Sequence, residues 1–420
     1  MAEYKASVIV PVYNVEKFVA GCLDSLIEQT VGFENIEVVL VNDGSTDNSE
    51  AICREYAEKY NNICLYSKEN EGLSKTRNYA LSRAHGKYIF VLDSDDRLRA
   101  DTVKAVTDFF DTVYDEVDLV TYRIIQYYNN MPVIVHYRYR TLTKTGVYDL
   151  TDPKNRYITQ TNINICVKNR GEDNLLFDTT PNFRHEDEKY CCDTVRPKMK
   201  IGFCAEGEYI YNRDNTDSIV STKFSPENIF DTSMDFYEKL FDSYGRFVPT
   251  YFQGIVFNDL RWKLKDGKLL PVHLEGEEWI TANRRIDRLL ARIEEDTIVL
   301  HPSVSGFALY YWLMRRPNSH PIVLTDGGAL SIVSNGRELY SEKKIKLTVK
   351  DGRARLMSPV FYFLRKNRFR IFNNGVEVNA EFEKNMKYTD ILDFMPSFEL
   401  DSRADNKISV VINSKEYDCK

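Results

Sequence analysis

Asp93, Asp95 and Asp96 stand together around Ser94, directly behind the apolar run from Tyr88 to Leu92. Carboxylates this close repel one another, and a buried strand has no structural reason to end in three of them unless something positive offsets the repulsion. Hard cations such as Mg²⁺ and Mn²⁺ do so while also taking phosphate oxygens and waters, and Asp95 is the first choice for a direct ligand. A D-x-D triplet alone is a weak signal that a solvated turn explains equally well. Its position at the carboxyl end of a buried strand, where open α/β sheets bind ligands, gives it weight. Three other side chains suit such a site. Tyr13 stands just past a first strand, where its ring can stack on a base. Asp43 stands past a second strand, where it can accept a ring N–H such as N3 of uracil. Arg77, early in a helix, can donate to a base carbonyl or a phosphate. Each also has an ordinary reading, as an edge tyrosine, a capping aspartate and an exposed arginine.

The elements that must hold these residues alternate. Residues 7–12, 36–41, 63–66 and 88–92 read as strands, and 88–92 as a fully buried central one. Between them lie helical patterns: one from Asn14 as N-cap through Glu28, one from the polar turn 42–47 to about Tyr60, and one over 73–84. A further helix is expected over 101–114, then strand-like pieces over 118–139 and 163–167 in a less regular half. This order predicts a mostly parallel α/β sheet in a first domain over 1–224. Ser225, Pro226 and Glu227 resemble a helix start with Pro in first position, and 279–293 is a charged amphipathic helix, so 225–320 is expected to be a helical linker domain. From 321 to 420 the pattern becomes β-rich, with Asn335-Gly336, Asp351-Gly352 and Asn374-Gly375 as turns, and predicts one β-sandwich.

Bulk properties narrow the partners. At 420 residues the chain exceeds one core. A net charge of −7 argues against nucleic acid as a partner. Eight cysteines without a CxxC pair or a zinc-spaced histidine read as reduced thiols in a cytoplasm. No apolar run reaches the roughly eighteen residues that cross a bilayer, which leaves peripheral docking at the inner membrane face open.

Four segments, Ser7 to Asn14, Val41 to Ser49, Glu71 to Asn78 and Asp93 to Leu98, in this order and spacing, resemble the family 2 glycosyltransferases. The resemblance implies a Rossmann-like GT-A catalytic domain in which Pro11, Tyr13, Asp43, Arg77 and Asp93 line the nucleotide of a UDP-sugar. Asp95 would hold a Mn²⁺ or Mg²⁺ bridging the diphosphate. Further on, Arg184 to Glu188 resembles the family's acidic motif, which assigns Asp187 as general base and Glu186 as a neighbour contacting the acceptor. A charged helix start is the plainer reading of the same residues. His185 suits either a second metal ligand or a structural contact. Arg213 suits the diphosphate, once the loop 213–221 closes, or an exposed loop position.

The succession of Glu186-Asp187, Tyr209 to Arg213, Ser218 to Ser221 and Ser225 to Glu227 is similar to bacterial wall teichoic acid glycosyltransferases. That likeness implies immunoglobulin-like C-terminal β structure that drives homo-oligomerisation. It also implies transfer of a GlcNAc, GalNAc, Glc or Gal unit, with inversion, to a polymeric or lipid-linked glycan such as teichoic acid or capsular polysaccharide. Asp217 stands in a stretch where those enzymes often carry histidine. The basic runs Lys343 to Lys346 and Arg365 to Arg370 suit an anionic polymer or a solvated strand face. Two rivals are weighed. A nucleotidyltransferase would need a Gly-rich basic loop where Pro11-Val12-Tyr13-Asn14 stands. A catalytically silent glycan-binding scaffold would have no use for intact Asp95 and Asp187.

Overall fold

The computed structural model describes residues 4–129, 131–135, 137–215, 226–265, 276–304, 306–317, 319, 321–326, 329–334, 336–342, 345–350, 352–357, 369–383, 395–400, 405–412 and 415–419. These fall into two compact units. The first runs to Leu240 and adds Pro249–Ile255; the second comprises Phe241–Val248 and everything from Val256 on.

In the first unit β1 (Ala6–Val12), β2 (Ile36–Asp43), β3 (Ile63–Lys68) and β4 (Tyr88–Val91) lie parallel in the order β3-β2-β1-β4. Every residue of β1, β2 and β4 is buried. That is why they read as continuous apolar runs: a parallel strand covered on both faces has no solvent side to spend polar residues on. The crossovers are α1 (Val19–Ile27), α2 (Ser49–Lys59) and α3 (Leu73–Leu81). The less regular half supplies β5 (Arg97–Leu98), α4 (Thr102–Thr112), β6 (Leu119–Tyr128), β7 (Met131–Val135), β8 (Gly146–Asp149), β9 (Ile165–Lys168), α5 (Glu186–Val195) and β10 (Lys200–Asn212). These strands extend the same sheet past β4 in the order β9-β6-β10-β5, with β7 beside β6 and β8 beside β10. Antiparallel pairs join β4 to β9 and β9 to β6, so the sheet is mixed.

The expected helix cap at Asn14 is not where α1 begins. The helix starts at Val19, behind Phe18, without a side-chain cap. Asn14 instead takes a φ of 50°, its Oδ1 accepts the Thr46 N–H at 2.8 Å, and its own N–H donates to Ser45 Oγ at 3.1 Å. Val15 N–H donates to Ser49 Oγ at 2.8 Å. The polar residues after β1 and β2 thus tie the two loops together across the sheet's carboxyl edge. A short amide side chain satisfies a left-handed turn better than a helix start when partners are at hand. The helix expected over 73–84 also stops earlier, at Leu81.

Entry into β4 depends on close backbone packing. Gly86 donates its N–H to Ser7 Oγ at 2.8 Å, and a Cβ there would lie 2.4 Å from both the Ala6 carbonyl carbon and the Ser7 nitrogen. Buried Glu37 accepts from Ser7 Oγ at 2.5 Å and from the His85 N–H at 2.7 Å, which fixes the same turn. Because the obstructing atoms are backbone, Gly86→Ala is expected to destabilise the protein by about 1–3 kcal/mol. A chemical-denaturation midpoint equal to that of the parent protein would contradict this.

α6 (Pro226–Asp242) opens on Pro226 as expected, with Ser225 outside the described residues. α7 (Thr250–Lys265), α8 (Gly276–Ala291), α9 (Glu295–Val299) and α10 (Gly306–Met314) follow, so the helix expected over 279–293 is α8. In the second unit the wholly buried Trp312 meets Phe257 edge to face at 5.6 Å. The β-rich end forms three sheets, where one sandwich was expected. β11 (Ile322–Asp326), β12 (Ala329–Ser334) and β13 (Arg337–Glu342) make a separate antiparallel three-stranded sheet. β14 (Lys346–Lys350), β15 (Arg353–Met357), β18 (Glu381–Glu383) and β19 (Met395–Glu399) make a second sheet. β16 (Phe369–Asn373), β17 (Val376–Val378), β20 (Ile408–Ile412) and β21 (Lys415–Asp418) make a third. Ala354, Leu356 and Phe398 of the second sheet and Phe369, Ile371 and Val410 of the third share one apolar core. Asn374 and Gly375, at φ 50° and 75°, form the β16–β17 turn that their sequence predicts. Asn335, Asp351, Lys343, Lys344 and 365–368 lie outside the described residues.

Candidate active site

The carboxyl end of β4 leads directly into the acidic cluster. Leu92 N–H still bonds Ile9 O at 3.1 Å, after which Asp93 N–H turns to the Tyr209 hydroxyl at 3.2 Å. Asp96 is buried beneath this turn, accepting from Tyr209 Oη and from the Asn212 N–H, both at 2.7 Å. Burial and the neighbouring Asp95 and Asp93 push its carboxyl well above the usual range. Asp96 is therefore an anchor between the β4 loop and β10, a role that nothing local to its motif signals. Asp95 is half-buried and accepts from Asn215 Nδ2 at 2.7 Å. Burial and Asp93 raise its pKa, against that hydrogen bond. No cation pairs with Asp95 among the described residues.

Arg77 is only 1% exposed, not the exposed arginine of the plainer reading. Its Nη2 donates to Asp93 Oδ1 at 2.9 Å and its Nη1 to Asp187 Oδ1 at 2.6 Å. Burial works against the buried cation, but Asp187 and Asp93 outweigh it and hold Arg77 protonated. Asp187 is the second residue of α5, whose first turn is acidic throughout, as the helix dipole favours. Burial pushes the Asp187 pKa up to about 7; Arg77 pulls it down, while Glu186 and Asp93 add to the rise. The side chain keeps 29% of its surface exposed, so it remains within reach of a reactant. Beside it, Glu186 Oε2 is buried with no hydrogen-bond partner among the described residues.

His185 ends the loop before α5. Its Nδ1 lies 3.2 Å from Glu188 Oε2 and its Nε2 lies 2.7 Å from Ser233 Oγ on α6, while its ring stacks against Phe236. Both ring nitrogens thus face protein groups.

The nucleotide-side candidates are spread along the neighbouring strand ends. Pro11 is buried at the end of β1, and Tyr13, two residues on, is 49% exposed. Asp43, the last residue of β2, is buried and accepts from Lys68 Nζ, from the Glu71 N–H at 3.0 Å and from the Gly72 N–H at 2.9 Å. Burial would raise its pKa, but the bonds from Lys68, Glu71 and Thr76 outweigh this and lower it. It thus holds the turn into α3, where Gly72 takes a φ of 92°. Lys68, which escaped sequence reasoning, faces Asp43 only because β3 runs beside β2. Arg213 is exposed past β10 and forms no ion pair among the described residues; its N–H donates to Tyr127 O at 2.8 Å. Thr216 to Ser225, and with them most of the expected closing loop, lie outside the described residues. The fold therefore brings Arg77, Asp93 and Asp187 into direct contact and sets Asp95 beside them. Pro11, Tyr13 and Asp43 stand at the ends of adjacent strands.

The donor set fits a hard divalent cation: Asp93, Asp95 and Asp96 crowd one strand end, and the Arg77 guanidinium that pairs with Asp93 is shared with Asp187. A mixed sheet with a parallel core that ends in these carboxylates is consistent with a GT-A fold. Residues 7–168 match the family model for glycosyl transferase family 2. It is related to the Bacillus subtilis minor teichoic acid biosynthesis protein GgaB, at 34% identity over 74% of this chain and 35% of GgaB. It is similar also to the B. subtilis glycosyltransferase EpsJ, at 31% identity over 52% of this chain and 64% of EpsJ. The chain thus spans about a third of GgaB and under two thirds of EpsJ. Among solved structures, Staphylococcus aureus TarS 1–349 in complex with UDP-GlcNAc superimposes with a TM-score of 0.59 at 21% identity, covering 80% of this chain and 99% of that one. Longer TarS covers 99% of this chain and 77% of its own, with a TM-score of 0.57 at 17% identity. These likenesses support the fold. No helix among the described residues is long and apolar enough to cross a membrane.

Proposed function

We propose that this chain is an inverting, metal-dependent glycosyltransferase that moves a hexose or N-acetylhexosamine from a UDP-sugar to a hydroxyl of a bacterial surface polymer. The observation that carries the proposal is the buried Arg77, which holds the strand-end acid Asp93 and the helix-borne acid Asp187 beside Asp95. Asp187 is the general base. It takes the proton of the acceptor hydroxyl as that oxygen attacks the anomeric carbon from the face opposite the leaving UDP, so no covalent enzyme intermediate forms. Glu186, with a buried oxygen unpartnered among the described residues, orients the acceptor. Tyr13 stacks on the base, Pro11, Asp43 and Asp93 shape the nucleotide bed, and Arg213 meets the diphosphate. Asp95 would hold Mn²⁺ or Mg²⁺, which supplies charge stabilisation to the departing diphosphate when bound.

The UDP donor is supported by the UDP-GlcNAc complex of TarS, and a teichoic acid acceptor by the name of GgaB. On the same reading, 1–224 is the catalytic domain, 225–320 a helical linker, and 321–420 an immunoglobulin-like β-sandwich region that joins copies of the chain. The enzyme would work in the cytoplasm, at the inner membrane face where lipid-linked glycans are extended. A donor screen tests the class: purified protein with Mn²⁺ and a panel of nucleotide sugars is expected to release UDP slowly from one UDP-sugar. If calorimetry detects no nucleotide binding with Mn²⁺ present, the transferase reading is wrong.

A further inference from the structure

Family resemblance places Arg77 on the nucleotide, yet its two terminal nitrogens point at carboxylates from two distant parts of the chain. We infer that Arg77 is a positioning residue for Asp187 and not a ligand of the donor: it clamps the helix-borne base to the strand-end acid Asp93. The inference rests on the proposed role of Asp187 as base.

Three observations support it. Arg77 is 1% exposed, so its side chain presents almost no surface to a bound nucleotide. Its Cζ lies 5.1 Å from the centre of the Phe177 ring, and that ring stacks on Tyr190 of α5 at 4.2 Å with an interplanar angle of 8°. The platform under Arg77 is therefore built on the helix that carries Asp187. Next to Arg77 on α3, Asn78 donates through Nδ2 to Phe177 O at 2.9 Å and accepts the Phe177 N–H at 2.8 Å through Oδ1. That two-point bond fixes Phe177 against α3. Arginine, platform and base are thus locked together from both sides, as a functional acid requires of its supporting residues.

The chemistry needs an arginine here. A planar fork reaches two carboxylates at once, whereas a lysine ammonium is a single point on a flexible stem. Removing the cation leaves Asp93, Glu186 and Asp187 facing one another, which favours the protonated form of Asp187 and so the form that cannot act as base.

The test compares Arg77→Lys, Arg77→Gln and Phe177→Leu with the parent protein, with near-ultraviolet dichroism and melting temperature confirming the fold. In both Arg77 variants kcat is expected to fall by about 10²-fold or more. The dissociation constant for the UDP-sugar in Mn²⁺, read by calorimetry, is expected to stay within about threefold, because the barrier and not donor binding changes. The acid limb of the pH–kcat profile should move to higher pH in Arg77→Gln and stay near its original position in Arg77→Lys, which keeps the charge and loses the fork. Phe177→Leu should lower kcat in the same direction with donor affinity unchanged, and it remains informative where an Arg77 variant does not fold. A donor dissociation constant raised tenfold or more, with kcat retained at saturating donor, would overturn the inference and return Arg77 to the nucleotide. Asp187→Asn separates the two readings. If it keeps full transfer, the base assignment itself fails; if it loses transfer while the Arg77 variants change only donor affinity, the clamp alone fails.

Discussion

Asp187→Asn is expected to lower sugar transfer by about 10³-fold while leaving UDP-sugar affinity unchanged, the loss typical of removing a general base. Asparagine keeps an oxygen for Arg77 Nη1 to donate to, so the contact now at 2.6 Å can survive and the acid alone is deleted. The environment of Asp187 also sets a pH dependence. Its pKa is pushed up to about 7 because burial, with Glu186 and Asp93 nearby, outweighs the pull of Arg77. A base acts only when deprotonated. Transfer should therefore fall about tenfold for each pH unit below 7 and level off above it. Glutamate and aspartate groups with ordinary pKa values would place that limb near 4 to 5, so its position identifies the acid responsible. A pH–rate profile flat between pH 5.5 and 9, or an Asp187→Asn protein with undiminished transfer, would remove Asp187 from the mechanism.

The sheet core was legible in the sequence because its strands carry apolar residues on both faces. Ile9, Val39 and Phe90 lie in neighbouring buried strands, and runs of that kind have few other folded uses. The candidate acids were legible for a related reason: Asp93 and Asp95 break an apolar pattern at the point where a strand must end. What stayed hidden depends on partners far along the chain. Asp96 looks like its neighbours, yet it serves β10 through Tyr209 and Asn212, a pairing that appears only once β10 crosses beneath the β4 loop. Asp43 was read as a nucleotide contact or a capping aspartate, and its partners, Lys68 on β3 and two backbone donors in the turn into α3, appear only once β3 lies beside β2. Asn14 was read as a cap because its type and place allow one, and it was drawn instead to Ser45 and Thr46 across the sheet edge. At the β-rich end the turns were visible and the sheets were not. A hairpin signal fixes a local pair of strands and says nothing of which sheet the pair joins.

Asp95→Ala is expected to abolish metal-stimulated release of UDP from the donor, by about 10²- to 10³-fold, since a bound divalent ion contributes several kcal/mol of charge stabilisation. The acids around Ser94 do not contribute equally. Asp93 already spends one oxygen on Arg77, and Asp96 is enclosed by Tyr209 and Asn212. Among the described residues, the side-chain partner of Asp95 is a neutral amide, Asn215, which a cation can displace or share. Replacing Asp96 by Asn should consequently do something different. It trades a buried acceptor for a group that cannot satisfy both donors equally well, which lowers stability by about 1–3 kcal/mol and leaves the Mn²⁺ concentration for half-maximal turnover near its parent value. Titrating turnover with Mn²⁺ in the two variants, alongside their melting curves, separates the metal ligand from the anchor. If Asp96→Asn instead lost the metal response while Asp95→Ala kept it, the ion would have to sit deeper, on the β10 side of the turn, and Tyr209 would have to release Asp96 to admit it.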